Sequence, residues 1–195
     1  MKRLALVLLL LVSQARATVV LPLPFEDLVR EADYIVRAVV LSVSSEWRTT
    51  SGQKHIITRV KLDVREVLAG TPPQPLELVM LGGQIGEVAL VVDGVPRFQV
   101  GDEDILFVTG NGVQFCPLVA IMHGRYRVVR DAKTGGTHVA RSNGAPMFDE
   151  KEVDQPMTSA ERALAQHPQQ RPLTPAAFAQ KIRTAREKTG PKIQH

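Results

Sequence analysis

The sequence predicts a mainly β protein, an antiparallel and partly open barrel with a short N-terminal helix and a C-terminal helical tail. Short apolar stretches recur at close intervals between residues 34 and 141, glycine-rich turns separate them, and almost no helical pattern intervenes. A parallel α/β architecture is excluded because it needs a helix between successive strands. We prefer a barrel of about five or six strands because closure removes exposed sheet edges.

The first seventeen residues have the order of a cleavable secretory signal. Lys2 and Arg3 precede the apolar run Leu4 to Val12, and the small residues Ala15 and Ala17 flank Arg16 just before Thr18. We therefore expect a periplasmic or secreted protein, cleaved near Ala17. The apolar run is about half the ~20 residues that a membrane-spanning helix needs, so no stable membrane anchor is expected.

The first elements follow from apolar periodicity. Residues Phe25 to Ala32 predict a short helix at an end of the sheet, and Tyr34 to Val43 predict a strand buried on both faces. The polar stretch Ser44 to Lys54 predicts a loop. From His55 to Arg65 apolar and polar residues alternate, which predicts a strand with one solvent-exposed face. The alternation shifts by one residue at Glu66-Val67, which predicts a bulge or the end of the strand.

The segment Ala69 to Pro75 breaks structure because prolines donate no ladder hydrogen bonds. Six further strands are predicted, separated by glycine-containing turns. They are Leu76 to Leu81, Val88 to Val92, Ile105 to Thr109, Gln114 to Ile121, Tyr126 to Arg130 and Thr137 to Arg141.

The composition divides the chain into the signal (1–17), a β-barrel domain (18–141), and a linker with a C-terminal helical tail (142–195). Thr158 to Glu161 has the form of a capping box before a marginal helix. Thr174-Pro175 begins a better helix with a threonine cap. Its apolar face, Phe178, Ile182 and Ala185, either docks on the barrel or stays loose.

The charge balance argues against nucleic acid as a partner. Without Lys2, Arg3 and Arg16, 21 basic residues face 20 acidic ones, and neither half of the remaining chain has concentrated positive charge. The only cysteine, Cys116, lies in an apolar setting, where we favour an inert buried thiol over a redox or partner-reactive role.

No motif predicts catalysis, a cofactor or a resident metal. Gly82-Gly83-Gln84-Ile85-Gly86 precedes a strand rather than the helix that a nucleotide fingerprint requires, so we expect a plain turn. No serine-nucleophile elbow occurs. The histidines lack metal-ligand spacing; they are His55, His123, His138, His167 and His195. The carboxylates Asp102-Glu103-Asp104 could bind calcium, but we favour a solvated turn because the spaced ligands of a calcium loop are missing.

Three residues are candidate contacts to a partner. Trp47 and Arg48 lie in the predicted loop, where an exposed aromatic side chain either anchors a partner or folds back over the barrel mouth. We favour the second arrangement. His123 lies beside Gly124 near the start of a strand, where it is either a site residue or a histidine satisfied by its surroundings.

Three stretches carry a resemblance to a known domain: Ala32 to Ala38, Val64 to Gly70, and Pro96 to Phe107. Over about residues 25 to 130 the chain resembles an uncharacterised domain of exported bacterial proteins, itself similar to the netrin-like, OB-type barrel of tissue inhibitors of metalloproteinases. The resemblance implies an OB-like barrel. It does not imply inhibition, since those inhibitors chelate zinc through a cysteine at the mature N-terminus, where this chain has Thr18.

The leading hypothesis is therefore an exported, non-enzymatic binding or protein-interaction module, whose partner could be another exported protein. A hydrolase of unrecognised type, using His123 or His55 with nearby acids, is the first alternative. A passive envelope or scaffold protein is the second.

Overall fold

The computed structural model describes residues 21–131 and 134–190, so the predicted signal lies outside the described residues. The helices are α1 (Phe25–Glu31), α2 (Ala160–Gln166) and α3 (Pro175–Thr189), with 3-10 turns at Ile121–Gly124 and Glu150–Asp154. The strands are β1 (Tyr34–Thr50), β2 (Gln53–Ala69), β3 (Leu76–Leu81), β4 (Gly83–Ile85), β5 (Val88–Leu90), β6 (Glu103–Val108), β7 (Arg125–Arg130) and β8 (Thr137–Arg141). The fold is mainly β, as predicted.

Six strands form one antiparallel sheet in the order β3-β2-β1-β6-β7-β8, while β4 and β5 form a separate ribbon. Within the described residues β3 and β8 are the outer strands and do not pair with each other, so the sheet is not closed. Register shifts in the β1–β2 pairing leave Arg65 and Leu68 without an opposite residue, which confirms the irregularity predicted around Glu66-Val67.

The sheet buries apolar side chains on both faces of its centre. Ile35 and Phe107 pack with α1 and α3 on one face, whereas Val36 and Leu106 belong to a second core with β2 and β3. The two-sided burial predicted for Tyr34 to Val43 is confirmed as far as Val40, whereas Leu41 and Val43 are exposed. Because both faces are covered there, β6 and the part of β1 from Tyr34 to Val40 are nearly continuous apolar runs.

The loop prediction for Ser44 to Lys54 is wrong, since β1 and β2 form one long hairpin through this region. Its two-residue turn, Ser51-Gly52, has positive φ angles of 51° and 78°, as the tight turns of twisted hairpins require. Strand β6 pairs β1 only as far as Val39, and β3 pairs β2 only from Ile57. The rest of the hairpin is a two-stranded arm with much solvent around it, and this explains its polar composition.

The strand predicted over Gln114 to Ile121 is also wrong. Only Leu118 makes a bridge, to Val108, and the segment is otherwise irregular. Polar groups of the chain from Asn111 to Val119 instead contact two different strands. The Asn111 side chain accepts from Val79 N and donates to the Glu77 carbonyl, and Phe115 O accepts from Leu81 N, so this segment covers the outer edge of β3. Val119 N donates to the Phe107 carbonyl of β6.

The C-terminal helix docks on the sheet. Phe178 and Ile182 are fully buried, and the Phe178 ring lies among those of Phe25, Phe107 and Tyr126. Thr174 caps α3 through the amide of Ala177, as predicted. The cap of α2 is Ser159, not Thr158, because the Ser159 hydroxyl accepts from Arg162 N.

Arg186 of α3 also fastens α1. Its guanidinium donates to the carbonyls of Val29 and Ala32, at 3.2 and 2.9 Å. These carbonyls end α1 and have no partner within the helix. A second contact, the ion pair of Arg183 with Glu66, holds α3 against β2. None of the helices of the described residues is long and apolar enough to cross a membrane.

Candidate functional site

A cleft of about 430 Å³ lies beside the base of the hairpin arm, between the inner face of β1 and β2 and the chain from Gly82 to Phe98. Apolar side chains make up most of its walls: Val43, Met80, Leu81, Ala89, Leu90, Val91, Val92, Val95, Pro96 and Phe98. Polar groups come from Ser45, Thr58, Gln84, Asp93 and Arg97. A concave apolar surface with a few placed polar groups is typical of a binding site.

The ribbon of β4 and β5 is held on the sheet by a short chain of hydroxyl hydrogen bonds. The Thr58 hydroxyl donates its hydrogen to the Gly82 carbonyl at 2.7 Å. Because a hydroxyl has only one hydrogen, Ser45 is the donor in the hydrogen bond between Ser45 and Thr58, whose oxygens are 3.1 Å apart. Ser45 accepts in turn from the Gln84 amide at 3.3 Å. Both hydroxyl hydrogens are thereby engaged within the fold.

Gly83 allows this close approach. Its φ is +138°, and a Cβ there would lie 2.4 Å from both the Ser45 and the Thr58 hydroxyl oxygens. Position 83 therefore requires glycine for two reasons. Its backbone conformation suits glycine, and β4 contacts the polar floor of the cleft directly, with no space for a Cβ.

The opposite wall is the loop of residues 91–102, which the side chain of Arg125 anchors. Arg125 donates to the Arg97 carbonyl at 2.6 Å, and its guanidinium carbon lies 4.1 Å from the centre of the Phe98 ring. It also donates to Asp102 at 2.8 Å. Backbone hydrogen bonds of Asp102 and Gly101 with Val40 complete the attachment. The loop is therefore fixed rather than hinged at this end.

Asp104 is the buried member of this network. Its carboxylate is fully buried and receives two hydrogen bonds from Arg125, each of 2.9 Å. Burial raises its pKa, and the Arg125 hydrogen bonds oppose that effect. The solvated turn expected at Asp102-Glu103-Asp104 is therefore wrong: Asp102 and Asp104 face Arg125, while Glu103 pairs with Arg37. No described group of three or more acidic, histidine or cysteine residues could hold a metal ion.

Trp47 and Arg48 lie in strand β1 of the arm, not in a loop. Trp47 is 43% exposed, and the ammonium of Lys54 lies 4.8 Å from the centre of its ring. Consecutive strand residues point to opposite faces, so Trp47 shares the cleft-side face with Ser45, whereas Arg48 shares the other face with its cross-strand neighbour His55. Neither arrangement forms a catalytic group.

The other two sequence candidates are buried elsewhere. His123 lies in the 3-10 turn that leads into β7 and is only 8% exposed. Cys116 is buried, and burial raises the pKa of its thiol to about 11, which agrees with an inert thiol. The structure therefore does not bring His123 together with Trp47 and Arg48 on one exposed surface.

No sequence pattern predicts the cleft, because its residues come from four separate places in the chain, 43–45, 58, 80–84 and 89–98. The available signal is the glycine density at Gly82, Gly83 and Gly86, which by itself predicts a turn. No model of a known protein family matches the chain, and no characterised protein shows detectable similarity to it.

Proposed function

We propose that the chain is an exported, non-enzymatic binding module, and that its cleft receives an apolar side chain from an extended segment of another exported protein. The observation that carries the proposal is the cleft itself, with its apolar walls and a floor of two hydroxyl groups. Its volume suits one large side chain and the adjoining backbone. Export rests on the residue order of the first seventeen positions.

The chemistry of the cleft favours binding over catalysis. A hydrolase needs a nucleophile with a base in hydrogen-bond reach. The lining residues include no histidine or cysteine, and the two hydroxyls are bonded to each other and to the backbone. A hydrolase built on His55 has a weaker basis, since the neighbour of the His55 ring in the arm is the Thr50 hydroxyl, 3.5 Å away.

Kinship to OB-type barrels belongs to the same proposal. Its support is the segment 111–119, which contacts the outer edge of β3 at one end and β6 at the other. A polypeptide path that joins β3 to β6 would complete a ring with β1 and β2, as the resemblance to netrin-like domains implies. The proposal does not include inhibition of metalloproteinases, because the zinc-chelating cysteine of those inhibitors has no counterpart near Thr18.

A display library of random peptides, panned on the immobilised protein, tests the binding function. We expect enriched peptides to share a large apolar residue and to bind Ala89→Phe at least about tenfold more weakly than wild type, because the new ring occupies the cleft. Val113→Phe is the matched control, since Val113 is 89% exposed and lies outside the cleft. Equal binding of the peptides to Ala89→Phe and Val113→Phe, or no enrichment of any peptide, would refute the proposal that the cleft receives an apolar side chain.

An activity-based probe separates this function from the hydrolase alternative. A fluorophosphonate reacts with serine nucleophiles that a neighbouring base activates. We expect no labelling of the native protein above that of the unfolded chain. A stoichiometric adduct on one serine, located by mass spectrometry, would contradict the non-enzymatic proposal and support the hydrolase alternative.

A further inference from the structure

The hairpin arm has a long edge along β1 that no other strand of the described residues pairs with. Strand β6 pairs β1 up to Val39, and the backbone of Asp102 and Gly101 pairs Val40. From Leu41 to Thr50 no described backbone group pairs with the outer edge of β1. Such an edge is a template for another strand. Three large apolar side chains, Leu41, Val43 and Trp47, are exposed along it.

The charges on this edge are arranged for self-pairing. Glu46 and Arg48 are two residues apart and therefore lie on the same face of β1, with Trp47 between them on the opposite face. Consider two antiparallel copies of a strand related by a two-fold axis that passes through one residue pair. The residue before that position in one copy is then opposite the residue after it in the other copy. An axis at Trp47 thus places Glu46 of each copy opposite Arg48 of the other.

We infer that β1 forms a symmetric antiparallel pair with β1 of a second copy of this chain, centred on Trp47. The pairing runs from Ser44 to Thr50, because Thr50 ends β1 and Ser44 is its symmetry mate. This span fits within the edge that β6 leaves open. The two copies would join their sheets, with two Glu46–Arg48 ion pairs on one face and a Trp47–Trp47 contact on the other.

Other registers are less complementary. An axis at Glu46 or at Arg48 sets like charges directly opposite, which destabilises a strand pair. An axis at Ser45 aligns Glu46 with Ser44 and leaves both charges unpaired across the interface. The Glu46 side chain already accepts from Arg59 through Oε1, at 2.7 Å, and its second oxygen is available to the other copy. A second copy fits this edge better than a membrane surface does, since Arg48 is the only basic residue between Leu41 and Thr50 and lipid recognition uses clusters of about four to eight basic residues.

Charge reversal tests the inference because it can be made reciprocal. Arg48→Glu should weaken the wild-type dimer at least about tenfold, since each ion pair becomes a repulsion, and Glu46→Arg should do the same. An equimolar mixture of the two variants should form a heterodimer, because the two acidic side chains of one variant then face the two basic side chains of the other. Lys61→Glu is the control: it makes the same charge change on the same face of the β1–β2 hairpin, but on β2, where β3 pairs it, and outside the paired span.

Sedimentation velocity at about 1 to 100 µM measures the oligomeric state, because small interfaces give weak association. Emission from Trp47, the only tryptophan, should shift to shorter wavelength on association. Circular dichroism must show that each variant is folded. If Glu46→Arg unfolds through loss of its contact with Arg59, the double variant with Glu46→Gln and Arg48→Gln replaces it. This double variant should weaken dimerisation, but by less than Arg48→Glu does, because it removes the ion pairs without adding a repulsion. A wild-type chain that stays monomeric, a dimer that survives Arg48→Glu, or a mixture that remains monomeric would each overturn the inference.

Discussion

Removing the side chain of Arg125 is the most informative perturbation of this fold. Arg125 is 3% exposed and hydrogen-bonds three groups: the carboxylate of Asp104 in β6, and the carboxylate of Asp102 and the carbonyl of Arg97 in the loop beside the cleft. Arg125→Met keeps most of the aliphatic volume and removes every one of these hydrogen bonds. Asp104, which is fully buried, then loses its bidentate partner.

The loss of stability expected for Arg125→Met follows from the burial of the Asp104 carboxylate. Breaking a buried ion pair by deleting one partner costs about 3 to 5 kcal/mol, because the remaining charge is left in a medium of low polarity. A domain of this size has a total stability of about 5 to 15 kcal/mol, so a cost of this order removes a large part of it. We expect Arg125→Met to lower the free energy of unfolding by about 3 to 5 kcal/mol at neutral pH.

The sign of the pH dependence is fixed by Asp104. Its pKa is already raised by burial, and Arg125 opposes that rise, so the substitution raises the folded-state pKa further. A carboxyl whose pKa is higher in the folded than in the unfolded state favours folding when protonated, and this contribution is lost as pH rises through the folded pKa. The cost of Arg125→Met should therefore grow from acidic to alkaline pH.

Urea unfolding followed by circular dichroism, at about pH 5 and pH 8, measures both effects. Arg125→Met together with Asp104→Leu is the control, because replacing both charges with apolar groups should recover most of the lost stability. A cost below about 1 kcal/mol, or a larger cost at pH 5 than at pH 8, would refute this account of the buried pair.

Three further predictions address other parts of the fold. Phe178→Ala should lower stability by about 3 to 5 kcal/mol in urea unfolding, because Phe178 is fully buried among three aromatic rings; a cost near zero would show that α3 is dispensable. Gly83→Ala should destabilise the chain by about 1 to 3 kcal/mol in the same assay, whereas Gly86→Ala, where an added Cβ meets nothing within 4 Å, should cost less. Because the pKa of the Cys116 thiol is raised to about 11, its thiolate forms only well above neutral pH, and a disulfide reagent at pH 8 should label the unfolded chain but not the native one.

Local patterns predicted the elements whose burial is simple. The short helix at Phe25, the strand Leu76 to Leu81 and the Thr174 cap were each predicted closely, because one-sided burial and capping leave a periodic or positional trace. The arm from Ser44 to Thr50 was not predicted. Both of its faces meet solvent, so polar residues that read as a loop are compatible with a strand once β2 pairs with it.

Side-chain partners at a distance in sequence explain the remaining differences. Asp104 looks like a surface acid in its run of three, and only the position of Arg125 in β7, the strand beside β6, makes its burial tolerable. The segment from Gln114 is apolar enough for a strand, yet it crosses between β3 and β6 and forms a ladder with neither. Its conformation depends on which edges it must cover.

The sequence alone determined the class of the protein: mainly β, with strands and turns marked by alternating burial and by glycine. These properties depend on neighbours within a few residues along the chain. The tertiary structure alone decided the sheet order, the docking of α3, the buried Arg125–Asp104 pair and the cleft. Each of those joins groups far apart in sequence, and no local pattern records which distant partners meet.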